Sequence, residues 1–243
     1  AQGDWATMRR LLSSDARRRT SLDEFREAHR RAAATATATR LTPGRAAEPE
    51  DGVVTVPVRV ATRMFGTITT DLRLPLVEED GEARVAWREH LAFPGLRPGE
   101  ELRRRTRMPT RATLTAADGT VLARGDDRVP EDPELAASIR GEIGPIPEDR
   151  AEELREKGVP QDAKVGLTGL ERALDDELRG TPGGELLAGE RVRARAEPQR
   201  ATRVRSSIVP SIQRAAVEAL GGRLGGIVAM DPRTGEIQAA AGI

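Results

Sequence analysis

The sequence predicts an α+β chain: a helix-on-curved-antiparallel-sheet domain followed by an extended, mixed α/β domain. Two amphipathic helices open it, three segments between residues 53 and 93 then alternate apolar and polar residues, and short strand and helix patterns mix between Pro/Gly breaks afterwards. At 243 residues the chain can bury two modest cores. Trp5, Phe25, Phe65, Trp87 and Phe93 are the only aromatic residues, so those cores must be built from Leu, Val, Ile and Ala.

Trp5, Met8, Leu11 and Leu12 recur at helical spacing and predict an amphipathic first helix. Ser21-Leu22-Asp23-Glu24 matches a capping box, in which the Ser21 hydroxyl accepts an orphan amide and Glu24 reaches back. A second helix follows through Phe25, Ala28 and His29 to about Ala33. The Ala/Thr alternation over residues 35–39 loses helix preference, and Pro43-Gly44 marks a turn or strand end. Residues 53–60 read as a strand, with Pro57 arguing for an edge or a bulge because it has no amide donor. Residues 64–77 alternate around Phe65, Ile68, Leu72, Leu74 and Leu76; Asp80-Gly81 supplies hairpin chemistry; residues 83–93 alternate again around Trp87 and Leu91.

Pro94-Gly95 and Pro98-Gly99 mark a boundary near residue 95. Residues 111–123 form a hairpin turning at Asp118-Gly119. Pro130, Pro133, Pro145 and Pro147 limit regular structure over 126–149, and 148–157 is a charged helix with few apolar contacts. A short amphipathic helix between 168 and 179 starts near Gly169 and stops at Gly180. Residues 210–220 form a helix stopped by Gly221-Gly222. Residues 226–230 are a buried-type strand, 231–235 a tight turn and 236–241 the returning strand.

Several classes of function are excluded. Lys+Arg and Asp+Glu balance at 39 each, so there is no nucleic-acid footprint. No cysteine is present, which removes disulfides, thiol catalysis and thiolate metal sites. His29 and His90 lie outside any metal-ligand spacing and read as structural or surface residues, so neither metal nor cofactor is expected. Gly221-Gly222-x-x-Gly225-Gly226 precedes its strand instead of following it, which rules out a dinucleotide fingerprint. No apolar run reaches membrane-spanning length and no signal-peptide core opens the sequence; either the parent is soluble or an anchor precedes Ala1. The pairs Asp175-Asp176, Glu152-Glu153 and Glu100-Glu101 read as solvated faces. Arg103-Arg104-Arg105 suits an anionic ligand and a strand with one exposed face equally well.

No catalytic residue can be assigned. A serine nucleophile needs a base beside it, and none of Ser13, Ser14, Ser21, Ser138, Ser206, Ser207 or Ser211 has a lysine three residues on. Ser211 has Arg214 there, but a guanidinium stays protonated and cannot serve as base. No Gly-x-Ser-x-Gly elbow occurs.

Three stretches agree in order with one enzyme family. Met108-Pro109-Thr110-Arg111-Ala112-Thr113-Leu114 with Asp118-Gly119 and Leu122-Ala123 resembles the segment that opens the dimerisation, or pedestal, region of class B penicillin-binding proteins. Gly169-Leu170-Glu171 … Leu178-Arg179-Gly180 is similar to its later motif, and residues 208–220 with 227–240 resemble the first helix and first two strands of the transpeptidase domain. Residues 1 to about 95 look like the NTF2-like domain of the methicillin-resistance (MecA-like) type, and Ile139-Arg140-Gly141-Glu142-Ile143-Gly144 resembles the connection in that subfamily. Ala112 departs from the usual Gly, Ala116-Ala117 from a frequent Asp-Arg, and Val209 from a common Asp.

The resemblance implies an NTF2-like domain over 1–95, a pedestal region over 96–202 and the start of a transpeptidase domain over 203–243. It implies a non-catalytic region of a peptidoglycan DD-transpeptidase that positions the catalytic domain. The catalytic serine, which β-lactams acylate, would lie outside this sequence. Implied partners are peptidoglycan or cell-wall synthesis proteins and the parent's own transpeptidase domain. The implied location is the extracytoplasmic face of the bacterial membrane, through an anchor absent from this sequence. Arg111, Asp118, Gly119, Gly169, Glu171, Arg179 and Gly180 are the expected structural motif residues, with Glu171 pairing with Arg111 or Arg179. An exposed pair would contribute only about 0–1 kcal/mol, so that pairing requires burial. The alternative is a free-standing NTF2-like module that encloses a small ligand or binds a protein.

Overall fold

The computed structural model describes residues 4–201 and 203–242. Asp4 accepts the Thr7 amide to start α1 (Trp5–Arg10), and Ser13 accepts that of Ala16 to start α2 (Ser14–Arg19). The opening helix expected through Leu12 therefore stops at Arg10, and α2 is a further short helix that the sequence reading did not expect. The chain breaks at Leu11-Leu12 because Leu12 forms a bridge with Val85 and the Val85 amide donates to Leu11 O. The expected capping box is present at α3 (Leu22–Thr35): Ser21 Oγ accepts from the Glu24 amide, and Glu24 accepts from that of Ser21.

Strands β1 (Ala38–Pro43), β2 (Val53–Thr62), β3 (Thr67–Glu79) and β4 (Glu82–Val85) form an antiparallel sheet in that order. β2 is thus an inner strand, and Pro57 sits neither on an edge strand nor at a bulge. It follows the last β1 pairing, Pro43 with Val58, and its carbonyl accepts the Gly44 amide at 2.7 Å. A strand residue presents N and O to the same side, so the missing donor faces the chain just past the end of β1 and breaks no rung. Asp80 and Gly81 have φ of 54° and 75°, the pair of positive values that a two-residue type I′ turn requires. β4 stops at Val85 instead of alternating on to Phe93. The Ala86 amide bonds back to Pro75 O, and residues Glu89–Ala92 coil into a 3-10 turn, yet Trp87 and Leu91 still pack inward against Leu12, Phe25 and Ala28.

β5 (Leu102–Arg107) exposes Arg103, Arg105 and Arg107 and turns Leu102, Arg104 and Thr106 inward. Arg104 Nη1 donates to Ala34 O and Thr35 O, at 3.1 and 3.2 Å, satisfying open carbonyls at the end of α3. The arginine run is thus a one-faced strand.

β6 (Leu114–Thr115) and β7 (Val121–Ala123) form the expected hairpin. A helix, α4 (Pro133–Ile139), occupies part of the segment where prolines were expected to prevent one. Pro133 is at the first helical position, where its missing amide costs nothing, and Asp132 caps the Leu135 amide. β8 (Ile143–Gly144) and, beyond α5 (Glu148–Glu156), β9 (Val165–Gly166) pair antiparallel. The helix expected between 168 and 179 is two, α6 (Gly169–Ala173) and α7 (Asp175–Arg179), interrupted at Leu174.

β10 (Gly183–Ala188) and β11 (Arg191–Ala196) join β5 in a sheet ordered β11-β10-β5, and β12 (Val204–Arg205) lies parallel to β6. α8 (Pro210–Leu220) ends at Gly221 in the left-handed region and leads into the β13 (Gly226–Met230) and β14 (Ile237–Gly242) pair. β13 is not the fully buried strand expected: Val228 and Met230 are 65% and 59% exposed, because α8 covers only the face carrying Ile227 and Ala229.

The chain forms two compact units. The first holds the chain up to Thr106 with Glu153–Gly158 and Gly183–Glu197; the second holds Arg107–Glu152, Val159–Pro182 and the chain from Pro198. In the first unit, Ala32 of α3 and Ala36 at its C-cap meet Val60, Ile68, Phe93 and Leu186. Leu114, Leu122, Leu135 and Leu178 centre the second.

Candidate functional site

The second unit buries a cluster of charged side chains beside its apolar core. Glu171 on α6 is 1% exposed and receives two guanidiniums: Arg111 Nε at 2.8 Å on Oε2 and Arg128 Nε at 2.7 Å on Oε1. Asp175, the first residue of α7, accepts the Gly166 amide and Arg111 Nη2 on Oδ1, both at 2.8 Å. Its Oδ2 accepts Arg150 Nη2 at 2.8 Å and Arg179 Nη1 at 3.0 Å. Arg179 also bonds the more exposed Asp176.

Local backbone geometry delivers these groups. Arg111 lies three residues before the start of β6 and is held by the Ala112 amide bonding Leu178 O and by its own amide bonding Asp126 Oδ1. Arg128 has φ of 55°, an uncommon value for a residue with a side chain, at the end of the turn from Gly125. Its Nη1 donates to Ala112 O at 2.8 Å and Gly125 O at 3.1 Å, which over-determines the strained backbone. Gly169 and Gly141 pass so closely that a Cβ on Gly169 would lie 2.7 Å from Gly141 N and Ile139 O, with φ of 55° besides.

Four guanidiniums, on Arg111, Arg128, Arg150 and Arg179, thus face the carboxylates of Glu171 and Asp175, with Asp176 at the rim. Burial holds the Arg128 guanidinium below its ordinary pKa, and its contact with Glu171 offsets only part of that. Burial also pushes the Asp175 carboxyl up, but the Gly166 amide and the guanidiniums of Arg150 and Arg111 together hold it below the usual range. The buried cations here are all guanidiniums, which stay protonated and cannot accept a proton, and the Glu171 and Asp175 carboxylates are engaged by those guanidiniums and by the Gly166 amide. A cleft of 330 Å³ beside Arg128 and Glu171 mixes Asp126, Asp127 and Glu142 with Arg140 and Lys164 and favours no single charge.

Glu171 and Arg111 come together, as the motif reading expected. Arg179 does not meet Glu171; it is directed to Asp175 one helical turn earlier. Asp118 and Gly119 stand apart in the β6–β7 turn, where Asp118 Oδ1 accepts the Thr120 amide at 2.9 Å and Gly119 has φ of 96°. Gly180, with φ of 71°, ends α7, and a Cβ there would lie 2.5 Å from Gln199 O. Sequence reasoning missed Arg128, Arg150 and Asp175. Asp175 was expected on a solvated face with Asp176, but it is 2% exposed because the break at Leu174 turns it toward the Gly166 amide. Nothing in the local sequence separates Arg150 from its charged helical neighbours.

Serines are used in structural bonds: Ser206 Oγ donates to Thr115 O, Ser207 Oγ to Ile237 O and Ser138 Oγ to Leu135 O. His29 packs among Trp5, Phe25 and Trp87, and burial lowers its pKa. Among the described residues no group of three or more His, Cys, Asp or Glu could hold a metal, and no helix is long and apolar enough to cross a membrane.

Residues 93–202 match the penicillin-binding protein dimerisation domain. Over 112 residues the chain is 33% identical to the peptidoglycan D,D-transpeptidase MrdA of Acinetobacter baumannii, an alignment covering 44% of this chain and 17% of that protein. The structure of Pseudomonas aeruginosa PBP2 in complex with WCK 5153 aligns at 29% identity over 58% of this chain and 30% of its own, with a TM-score of 0.44. PBP2 of Helicobacter pylori in complex with MreC aligns at 14% identity over 58% and 43%, with a TM-score of 0.43. Penicillin-binding protein 2B of Streptococcus pneumoniae aligns at 22% identity over 48% and 23%, with a TM-score of 0.37.

Proposed function

We propose that this chain, which carries a penicillin-binding protein dimerisation domain over residues 93–202 and is homologous to class B penicillin-binding proteins of the PBP2/MrdA type, is the non-catalytic region that positions the transpeptidase domain of such an enzyme. The observation that carries this reading is the exposed apolar face of the β13–β14 sheet. β13 and β14 form a two-stranded sheet that α8 covers on one face only, leaving Val228 and Met230 65% and 59% exposed and Leu224, just before β13, 91% exposed. A two-stranded sheet is marginal in water, and an apolar face left open in this way suits packing against a further layer, such as the body of a transpeptidase domain.

The charged cluster is the scaffold of the pedestal. Glu171 and Asp175 tie α6 and α7 to the segments carrying Arg111, Arg128 and Arg150. In the first unit, helices against a four-stranded antiparallel sheet support an NTF2-like domain of the MecA-like type. The parent would work at the extracytoplasmic face of a bacterial membrane, held by an anchor outside this sequence, with cell-wall synthesis proteins as partners.

Fluorescent penicillin tests the reading. This chain alone should remain unlabelled, while the protein from the complete reading frame should label at a serine in a Ser-x-x-Lys motif downstream of β14. Labelling of this chain, or a complete frame without that motif, would sink it.

A further inference from the structure

Gln213, the fourth residue of α8, is completely buried. A primary amide offers donors on Nε2 and an acceptor on Oε1, and here they reach two other elements. Oε1 accepts the Ala240 amide at 2.8 Å and Nε2 donates to Ala240 O at 3.1 Å, so both bonds fall on one residue of β14. Nε2 also donates to Ser138 Oγ on α4, at 3.1 Å, while that hydroxyl gives its own proton to Leu135 O at 2.8 Å.

The paired bonds to Ala240 copy a rung of an antiparallel ladder. A strand residue presents N–H and C=O to the same neighbour, so Gln213 occupies the edge of β14 that faces away from β13. Two residues earlier the Val209 amide donates to Gln238 O, at 2.8 Å, on that same edge. The next residue of α8 adds a second hold on α4: Arg214 Nη2 bonds Oδ2 of Asp132, the residue that caps α4, at 2.5 Å. Asp132 and Ser138 are six residues apart along α4, about 9 Å at the helical rise. Two attachments that far apart fix the rotation of α8 against α4, where one would leave a pivot.

We propose that Gln213 is the positioning residue that makes the α8–β13–β14 element one rigid body with the Arg/Glu scaffold of the second unit. Arg214–Asp132 serves as the outer stop of this joint. Its role in aiming a catalytic domain rests on the proposed function; the joint itself does not.

The test uses the full chain, whose lack of cysteine makes two introduced ones unique labelling sites. Spin labels at Glu134→Cys on α4 and Val228→Cys on β13, both exposed, report the distance across the joint by double electron–electron resonance. The unaltered joint should give one narrow distance. Gln213→Leu, which keeps volume and removes both polar arms, should broaden it at least twofold and speed Ala240 amide exchange at least tenfold. Ser138→Ala with Arg214→Ala removes the side-chain holds on α4 and leaves only the long 3.5 Å contact of Gln213 Nε2 with Ser138 O. It should broaden the distance while leaving Ala240 exchange unchanged, an outcome that general unfolding would not produce. If Gln213→Leu does not fold, that double variant decides alone. A distance that stays narrow in the folded variants overturns the joint, whatever penicillin labelling says of the parent enzyme.

Discussion

Replacing Glu171 by Gln isolates the contribution of the buried cluster. The substitution keeps the side chain's shape but leaves Arg111 and Arg128 facing a neutral amide, one end of which is a donor set against a donor. The three side chains are 1%, 6% and 4% exposed, so water cannot take over the lost contacts. Removing one partner from a buried ion pair costs about 3–5 kcal/mol, against a total of about 5–15 kcal/mol for a native domain. The control is Glu185→Gln, which breaks the Arg195–Glu185 pair: the same 2.8 Å contact with side chains 69% and 35% exposed, where about 0–1 kcal/mol is expected. Native-state hydrogen exchange at the Ala112 amide, which bonds Leu178 O at 2.8 Å, reads the second unit. Trp5 and Trp87 both lie in the first unit and report it by fluorescence. Opening at Ala112 should become about 3 kcal/mol or more easier in Glu171→Gln and stay unchanged in Glu185→Gln. If the two variants agree within about 1 kcal/mol, the cluster is not the scaffold described here.

Acid should weaken the second unit through Asp175. Its folded pKa lies below the ordinary value of about 3.9, so its contribution is present above that pH and is lost as pH falls through the folded value; Asp175→Asn should be weaker at pH 7 and lose that part of the acid slope in urea titrations. On the surface, hydrogen bonding from Arg191 holds the Glu100 carboxyl down to about 2, and Arg191→Ala should return its NMR titration toward the normal carboxylate range. Two glycines separate crowding from strain. Gly119→Ala meets no atom within 4 Å and should cost about 1–2 kcal/mol for its positive φ alone, whereas Gly169→Ala meets backbone at 2.7 Å and should unfold the second unit in thermal melts.

Legibility in the sequence followed the range of each interaction. The α3 capping box, the Asp80-Gly81 turn and the Asp118-Gly119 turn involve groups within three residues of one another, and each stands where its local chemistry put it. Pro57 and Pro133 were misread because the cost of a missing amide depends on what that amide would have faced. One faces the chain beyond a strand's end, and the other sits in a helix's first turn, where no partner exists. The first helix ended early for a reason 74 residues away, the pairing of Leu11 with Val85.

By itself, the sequence determined the α+β class, the balance of charge, the lack of cysteine chemistry, and the pairing of Glu171 with an arginine. Tertiary structure alone decided which arginines gather there. Arg128 and Arg150 look like their exposed neighbours until folding removes water from around them, and Asp175 differs from Asp176 only through the break at Leu174. Burial is a property of the packed chain, and it is burial that turns a surface charge into part of a scaffold. The Gly169-Leu170-Glu171 and Leu178-Arg179-Gly180 segments therefore spell out Glu171 and Arg179 alone; Arg128 and Arg150 are supplied by chain that only the fold brings near.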